Sequence, residues 1–202
     1  VITRANRMFC AAKGGIKMRK NFGAKPYMYP LPVLIIGTYG EDGTPDAMNA
    51  AWGGICEADK IMLCLSDTHK TTKNILNRKA FTVSFADAAH VVPCDYVGVV
   101  SGNKEPKKFE KAGFHAIKSE FVDAPLIAEL PMALECELDK VNEDGLIIGR
   151  IVNVSVDERV LGADGKADPA KFGPIAFDAV NNTYIKLGET VGKAFSDGLK
   201  LK

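Results

Sequence analysis

Residues 33–52 read VLIIGTYGEDGTPDAMNAAW. The apolar run at 33–38 has the length and composition of a buried strand. Glu41-Asp42-Gly43 supplies the residue types of a hairpin turn, and 46–52 can return as the next strand. This stretch therefore predicts two antiparallel strands joined by a tight turn.

The rest of the chain continues in the same manner. Asp144-Gly145 is a second turn signal. Further strands are expected at 61–66, 80–86, 134–138, 146–156, 176–178 and 183–187. Short helices are expected at 69–77, 105–112 and 189–198, and 87–102 can begin as a helix that Pro93 breaks or caps.

This pattern gives about seven short strands, mostly connected by hairpins. Strands and helices do not alternate regularly along the chain, which disfavours a parallel sheet with helices on both faces. The sequence predicts a mainly β fold, an antiparallel Greek-key barrel, closed or split, with short peripheral helices.

Composition narrows the function classes. The chain has 202 residues, 47% of them hydrophobic, with 26 Lys and Arg against 25 Asp and Glu. This composition disfavours disorder, and the formal charge of +1 disfavours a general nucleic-acid partner. The sequence has no apolar run of 18 residues, so no membrane partner is expected.

The cysteines indicate the cellular compartment of the protein, and the first residues indicate where its domain begins. Five scattered cysteines without a C-x-x-C pair favour reduced thiols in a cytoplasmic protein and disfavour a metal site. Cys56 and Cys64 are expected to be packing thiols. Residues 1–17 are interpreted as a leader or N-terminal extension, and 18–202 as one domain.

Residues 66–74 (SDTHKTTKN) place hydroxyls, a histidine, two lysines and an asparagine where a strand ends and a helix begins. A helix N-terminus with nearby lysines is an anion site. Simple N-capping by Asp67 or Thr68, with solvated lysines, is the alternative. Lys70, Lys73, Asn74 and Asn77 are expected on the polar face of this helix.

Residues 46–54 (DAMNAAWGG) surround Asn49 with small side chains. A strand of alanine and glycine lets a flat ligand approach the backbone closely. The alternative is that the alanines pack against a helix and that Trp52 belongs to the core.

The order of these segments resembles the flavin reductase-like, FMN-binding split-barrel family, which includes flavoredoxin. The resemblance begins with the proline-rich entry at 26–32 and continues through the segments above to 187. It also includes DYVGVVSG at 95–102, LECEL at 134–138 and GRIVNV at 149–154.

The resemblance implies the split form of the Greek-key β-barrel, FMN as cofactor and two groups of contacts. Contacts to the isoalloxazine ring would come from Ala47, Met48, Asn49, Ala50, Ala51 and Trp52. Contacts to the phosphate or ribityl chain would come from Ser66, His69, Lys70, Thr71 and Asn74, with Asp67, Thr68, Thr72 and Lys73 as neighbouring candidates. It implies no catalytic side chain, since the flavin carries the redox chemistry.

The implied function is an FMN-dependent oxidoreductase that takes hydride from NADH or NADPH and passes electrons to an unidentified acceptor. One alternative is a flavoredoxin-like electron-transfer protein without a nicotinamide substrate. Another is a non-catalytic binding module for a phosphorylated ligand. The family also implies a homodimer with flavin at its interface, where Trp52 and Phe85 would lie if they are not in the monomer core.

Overall fold

The computed structural model describes residues 19–202, so the predicted leader at 1–17 lies outside the described residues. The strands are β1 Leu31–Pro32, β2 Leu34–Tyr39, β3 Pro45–Ala50, β4 Gly53–Glu57, β5 Lys60–Leu63, β6 Ala80–Phe85, β7 Ala116–Lys118, β8 Pro125–Ile127, β9 Met132–Val141, β10 Ile147–Val156, β11 Ile175–Asp178 and β12 Thr183–Lys186. The helices are α1 Lys70–Arg78, α2 Val91–Val99, α3 Lys108–Lys111 and α4 Pro169–Phe172, with 3₁₀ turns at Glu158–Val160 and Asp197–Leu201.

Seven strands form one antiparallel sheet in the order β3-β2-β6-β9-β10-β5-β4. After β5 the chain passes through α1 and returns as β6 beside β2, which is a Greek-key connection. The edge strands β3 and β4 are joined by only Ala51 and Trp52. The sheet must therefore curl until its two edges are neighbours, and the predicted split barrel is confirmed with its seam between β3 and β4.

The curled sheet encloses one core, and its outer face carries a second. The inner core takes residues from six strands and from α1, centred on Phe81, Leu34 and Ile75. The outer core packs Val97 of α2 and Phe109 of α3 against Ile35 of β2. Because α2 and α3 cover the sheet beside β3, they form the wall of the site described below.

The two predicted hairpin turns are present. Gly43 and Gly145 both have φ +79°, the left-handed conformation that glycine adopts without a Cβ penalty. The carboxylate of Asp42 accepts a hydrogen bond from the Thr44 backbone N–H at 3.0 Å, which fixes the first turn.

The buried face of α1 differs from the prediction. Thr71, Thr72, Asn74 and Ile75 are its buried residues. Asn74 was expected on the polar face, but its Nδ2 donates to Thr38 Oγ1 at 3.0 Å beneath the helix. Polar side chains can be buried when partners in the sheet satisfy them, so polarity alone assigned this face wrongly.

Other expectations need smaller corrections. The 105–112 helix shortens to the four residues of α3, and Pro93 lies in the first turn of α2, where the missing N–H costs little. The tail has a 3₁₀ turn at Asp197–Leu201 where a helix was expected at 189–198. The structure also adds β4, whose sequence GGICE has few strand-forming residues. No helix in the described part of the chain is long and apolar enough to cross a membrane.

Candidate functional site

The site is built along the free edge of β3. In the seven-stranded sheet this strand pairs with β2 alone, so alternate N–H and C=O groups point away from the sheet. Helix α2 runs beside that edge. A Cβ added to Gly98 would lie 2.9 Å from the Asn49 Cβ, so glycine permits this close approach.

A polar cavity of about 190 Å³ lies between β3, α1 and the segment that follows α2. We call it the Lys70 cavity. Its walls are Met48, Asn49, His69, Lys70, Thr71, Val97, Gly98, Val99, Val100, Ser101, Gly102 and Lys108. Two segments distant in sequence, 48–49 and 69–71, therefore meet around one cavity, as the site prediction requires.

The beginning of α1 lacks a side-chain cap. His69 is the N-cap residue and its side chain makes no capping hydrogen bond, while the first turn contains no acidic residue. Thr68 instead shares a hydrogen bond with Ser66, with the two hydroxyl oxygens 2.8 Å apart. Capping by Asp67 or Thr68 is therefore wrong for this helix. Its first N–H groups and Lys70 give this end of the cavity an anion-binding character.

A buried ion pair forms the floor of the Lys70 cavity. Lys108 is 3% exposed and Asp46 is 1% exposed, with Lys108 Nζ 3.6 Å from Asp46 Oδ1. The ammonium also donates to the carbonyls of Val97 and Val100, both at 3.2 Å, which satisfies the C-terminal end of α2. Burial lowers the pKa of Lys108, and the Asp46 carboxylate opposes this shift.

Thr71 joins α1 to this pair. Its Oγ1 donates to Asp46 Oδ2 at 2.8 Å, and the residue is 2% exposed. Thr71 therefore lies on the buried face of α1, although it was expected to contact phosphate. Its hydroxyl proton already has an acceptor in Asp46.

A second cavity, of about 230 Å³, lies on the other side of Asn49 and is called the Tyr184 cavity. Tyr184 Oη donates to Asp95 Oδ1 at 2.7 Å and lies 3.5 Å from Asn49 Nδ2. Burial and the Asp95 carboxylate raise the pKa of Tyr184 to about 12. The walls of the cavity are Asn49, Ala51, Asp95, Gly98, Val99, Phe177 and Tyr184.

Trp52 lies at a third, apolar cavity of about 460 Å³. Trp52 is 57% exposed, so the alternative that it belongs to the monomer core is wrong. Met28 and Ile55 line the same cavity and are also exposed. Cys64 lines it too, and Cys56 and Cys64 are both exposed, so the expectation that they are packing thiols is wrong. Phe85, by contrast, is half-buried and packs against the inner core.

Comparison with known proteins assigns the family. Residues 27–175 match the model of the flavin reductase like domain. The chain belongs to the flavin reductase-like family. This agrees with the Greek-key barrel and with the meeting of β3 and α1 around one cleft.

This flavin reductase-like protein is also similar to several proteins of known structure. Flavoredoxin of Desulfovibrio vulgaris (Miyazaki F) is 40% identical with a TM-score of 0.87, covering 90% of this chain and 100% of that one. Flavoredoxin from Methanosarcina acetivorans is 26% identical with a TM-score of 0.81, covering 92% and 99%. A putative flavin reductase with split barrel domain from Shewanella frigidimarina is 17% identical with a TM-score of 0.71, covering 82% of this chain and 86% of that one. At this identity the similarity concerns the fold alone.

The residues of the cleft suit FMN. A phosphate needs cations and free N–H groups, which Lys70 and the start of α1 supply. A flavin ring needs a flat surface and hydrogen-bonding groups along its edge, which the free edge of β3 supplies. The Lys70 and Tyr184 cavities share Asn49, Gly98 and Val99 in their walls, so they adjoin each other, and together they are called the cleft.

The predicted site residues divide by position. Those at the cleft are Met48, Asn49, Ala51, His69, Lys70 and Thr71. Ala47 and Ala50 face the two cores, and Asn74 is tied to Thr38, so none of their side chains lines the cleft. Ser66 and Asp67 are exposed outside both cavities, and Trp52 lines the apolar cavity. The side chains of Ala47 and Ala50 point away from the cleft, so only their backbone groups on β3 could contact a flavin ring there.

Sequence reasoning missed three titratable residues of the cleft, Lys108, Asp95 and Tyr184. Lys108 belongs to a lysine-rich stretch that is typical of a solvated helix, and its burial depends on Asp46 more than sixty residues earlier. Asp95 and Tyr184 come from α2 and β12, which only the fold brings together. The described residues contain no group of three His, Cys, Asp or Glu placed as metal ligands would be.

Proposed function

We propose that this protein is an FMN-dependent oxidoreductase that accepts hydride from NADH or NADPH and passes the electrons to another acceptor. The observation that supports this most is the cleft along the free edge of β3, which ends at the uncapped start of α1 with Lys70. Membership of the flavin reductase-like family supports flavin oxidoreductase chemistry in general.

Each part of the cleft would hold one part of FMN. Lys70 and the first N–H groups of α1 would bind the phosphate, with His69 beside them. The backbone of 47–51 and the Asn49 amide would face the ring. FMN, when bound, supplies the two-electron redox chemistry at its ring. The protein orients that ring, limits access of water to it and sets its electrostatic surroundings.

The alternative is an electron-transfer protein without a nicotinamide substrate. The 40% identity with flavoredoxin of Desulfovibrio vulgaris over nearly the whole chain favours this candidate. Both functions need the same FMN site, and they differ only in how reducing equivalents arrive.

Anaerobic stopped-flow reduction of the FMN-loaded protein separates these functions. The proposal predicts rapid, saturable loss of flavin absorbance on mixing with NADH or NADPH. Reduction by dithionite but by neither nicotinamide would reject the proposal in favour of the electron carrier. Failure of the purified protein to bind FMN at all would favour a binding module for another phosphorylated ligand.

The same proposal includes a homodimer. Trp52, Met28 and Ile55 expose apolar surface beside the seam between β3 and β4. Contiguous apolar surface of this kind commonly marks a protein–protein contact. Light scattering at micromolar concentration is expected to give twice the 21.8 kDa chain mass. A measured mass equal to that of a single chain would contradict the dimer.

A further inference from the structure

The side-chain amide of Asn49 has a defined orientation. The carbonyl oxygen of Cys94 lies 3.1 Å from Asn49 Nδ2. A carbonyl can only accept a hydrogen bond, so the amide nitrogen must face Cys94. Gly98 permits this contact, since a Cβ there would lie 2.9 Å from the Asn49 Cβ.

Tyr184 strengthens the same orientation. Its hydroxyl donates to Asp95 Oδ1 at 2.7 Å, so its oxygen faces Asn49 as an acceptor. With a pKa raised to about 12, the phenol keeps its proton at neutral pH and continues to donate to Asp95. Both Nδ2 protons of Asn49 therefore have acceptors, at 3.1 Å in Cys94 and at 3.5 Å in Tyr184.

The consequence concerns the other end of the amide. Within residues 19–202, Asn49 Oδ1 accepts no hydrogen bond, and Asn49 lines both the Lys70 and the Tyr184 cavity. Asn49 therefore brings to the wall of both cavities an amide oxygen that no described residue occupies. A ligand group that meets this oxygen must be a donor.

We propose that Tyr184 and Asp95 are positioning residues that hold the Asn49 amide so that its Oδ1 accepts a hydrogen bond from N3–H of the isoalloxazine ring. This rests on the proposed FMN site. The oxidised ring has several acceptor atoms but a single N–H donor, at N3, so an oriented acceptor selects that edge of the ring. The contact provides recognition of the ring that is independent of the phosphate.

Binding of FMN and of N3-methyl-FMN, which lacks the donor, tests the proposal. Wild type should prefer FMN by about threefold to tenfold, the range expected for one neutral hydrogen bond. Asn49→Ala should weaken FMN by the same factor, leave the affinity for N3-methyl-FMN nearly unchanged and so remove the preference. Tyr184→Phe keeps the aromatic ring but releases the amide, and should reduce the preference.

The matched control is Tyr39→Phe. Tyr39 lies at the far end of β2, four residues beyond the Ile35–Asn49 pair, and is half-buried like Tyr184. This variant should keep the full preference. Thermal unfolding of each variant shows whether it is folded.

Two outcomes overturn the inference while leaving the FMN site intact. One is equal binding of FMN and N3-methyl-FMN by wild type. The other is an unchanged preference in folded Asn49→Ala, which would assign the discrimination to the size of the methyl group, or in folded Tyr184→Phe, which would leave Tyr184 without a positioning role. If wild type bound neither flavin, the proposed FMN site itself would be wrong.

Discussion

Replacing Lys108 with methionine tests the buried pair on the floor of the Lys70 cavity. Methionine keeps much of the apolar stem but removes the ammonium that lies 3.6 Å from Asp46 Oδ1. That oxygen accepts no hydrogen bond from any described residue. In the variant, the buried Asp46 carboxylate would keep only the hydrogen bond from Thr71.

The magnitude follows from burial. Asp46 and Lys108 are 1% and 3% exposed, and removing one partner of such a pair costs about 3–5 kcal/mol. For a domain of this size each kcal/mol corresponds to about 2–4 °C, so the Tm should fall by roughly 6–20 °C. The neighbouring Lys107 is exposed, and Lys107→Met should change stability by about 0.5 kcal/mol or less.

Urea unfolding followed by circular dichroism measures both variants. The double variant Lys108→Met with Asp46→Asn should lose less stability than the sum of the two single losses, because the uncompensated charge is gone. A Lys108→Met protein as stable as Lys107→Met would refute the reasoning. Strict additivity in the double variant would show that the two charges do not interact.

Three further predictions concern binding, acid stability and thiol reactivity. Lys70→Ala should weaken FMN binding by about tenfold and leave riboflavin binding unaffected. Lys73 is exposed one turn later in α1, so Lys73→Ala should change the binding of neither flavin, and equal losses for both flavins in Lys70→Ala would contradict the phosphate contact. The hydrogen bond from Tyr29 lowers the pKa of Asp178 to about 2, below its unfolded value of about 4. The stabilisation from the Asp178 carboxylate is therefore complete above pH 4 and is lost as the pH falls toward 2. Between pH 4 and pH 2 the urea midpoint of wild type should fall more steeply than that of Asp178→Asn, and parallel curves for the two proteins would contradict this prediction. Burial raises the pKa of Cys94 to about 12, so iodoacetamide at pH 8 should label exposed Cys64 and spare Cys94 by mass spectrometry; equal labelling would contradict that burial.

Local patterns were sufficient for the barrel. The turn at Glu41-Asp42-Gly43 joins the almost wholly buried strand β2 to the partly buried strand β3, and these signals lie within a few residues of one another. The beginning of α1 was predictable for the same reason, since polar residues at 66–69 follow an apolar strand. The split at the seam needed the order of all seven strands.

The cleft was predictable only in part. Met48, Asn49 and Lys70 lie in two short segments of unusual composition, and the resemblance to the family implied them as contacts. Lys108 and Tyr184 could not, since each acquires its role from a residue far along the chain, Asp46 and Asp95 respectively. Asn74 was misplaced for the converse reason: its partner Thr38 turns a polar side chain toward the sheet. Hydrogen bonds between distant elements decide these positions, and sequence periodicity does not record them.

The most direct measurement of the central claim compares FMN with riboflavin on the flavin-free protein by titration calorimetry. The cleft beside β3 is expected to bind FMN about tenfold to a hundredfold more tightly, because riboflavin lacks the phosphate that Lys70 and the start of α1 would hold. Equal affinities for the two flavins, or no binding of FMN, would contradict the account.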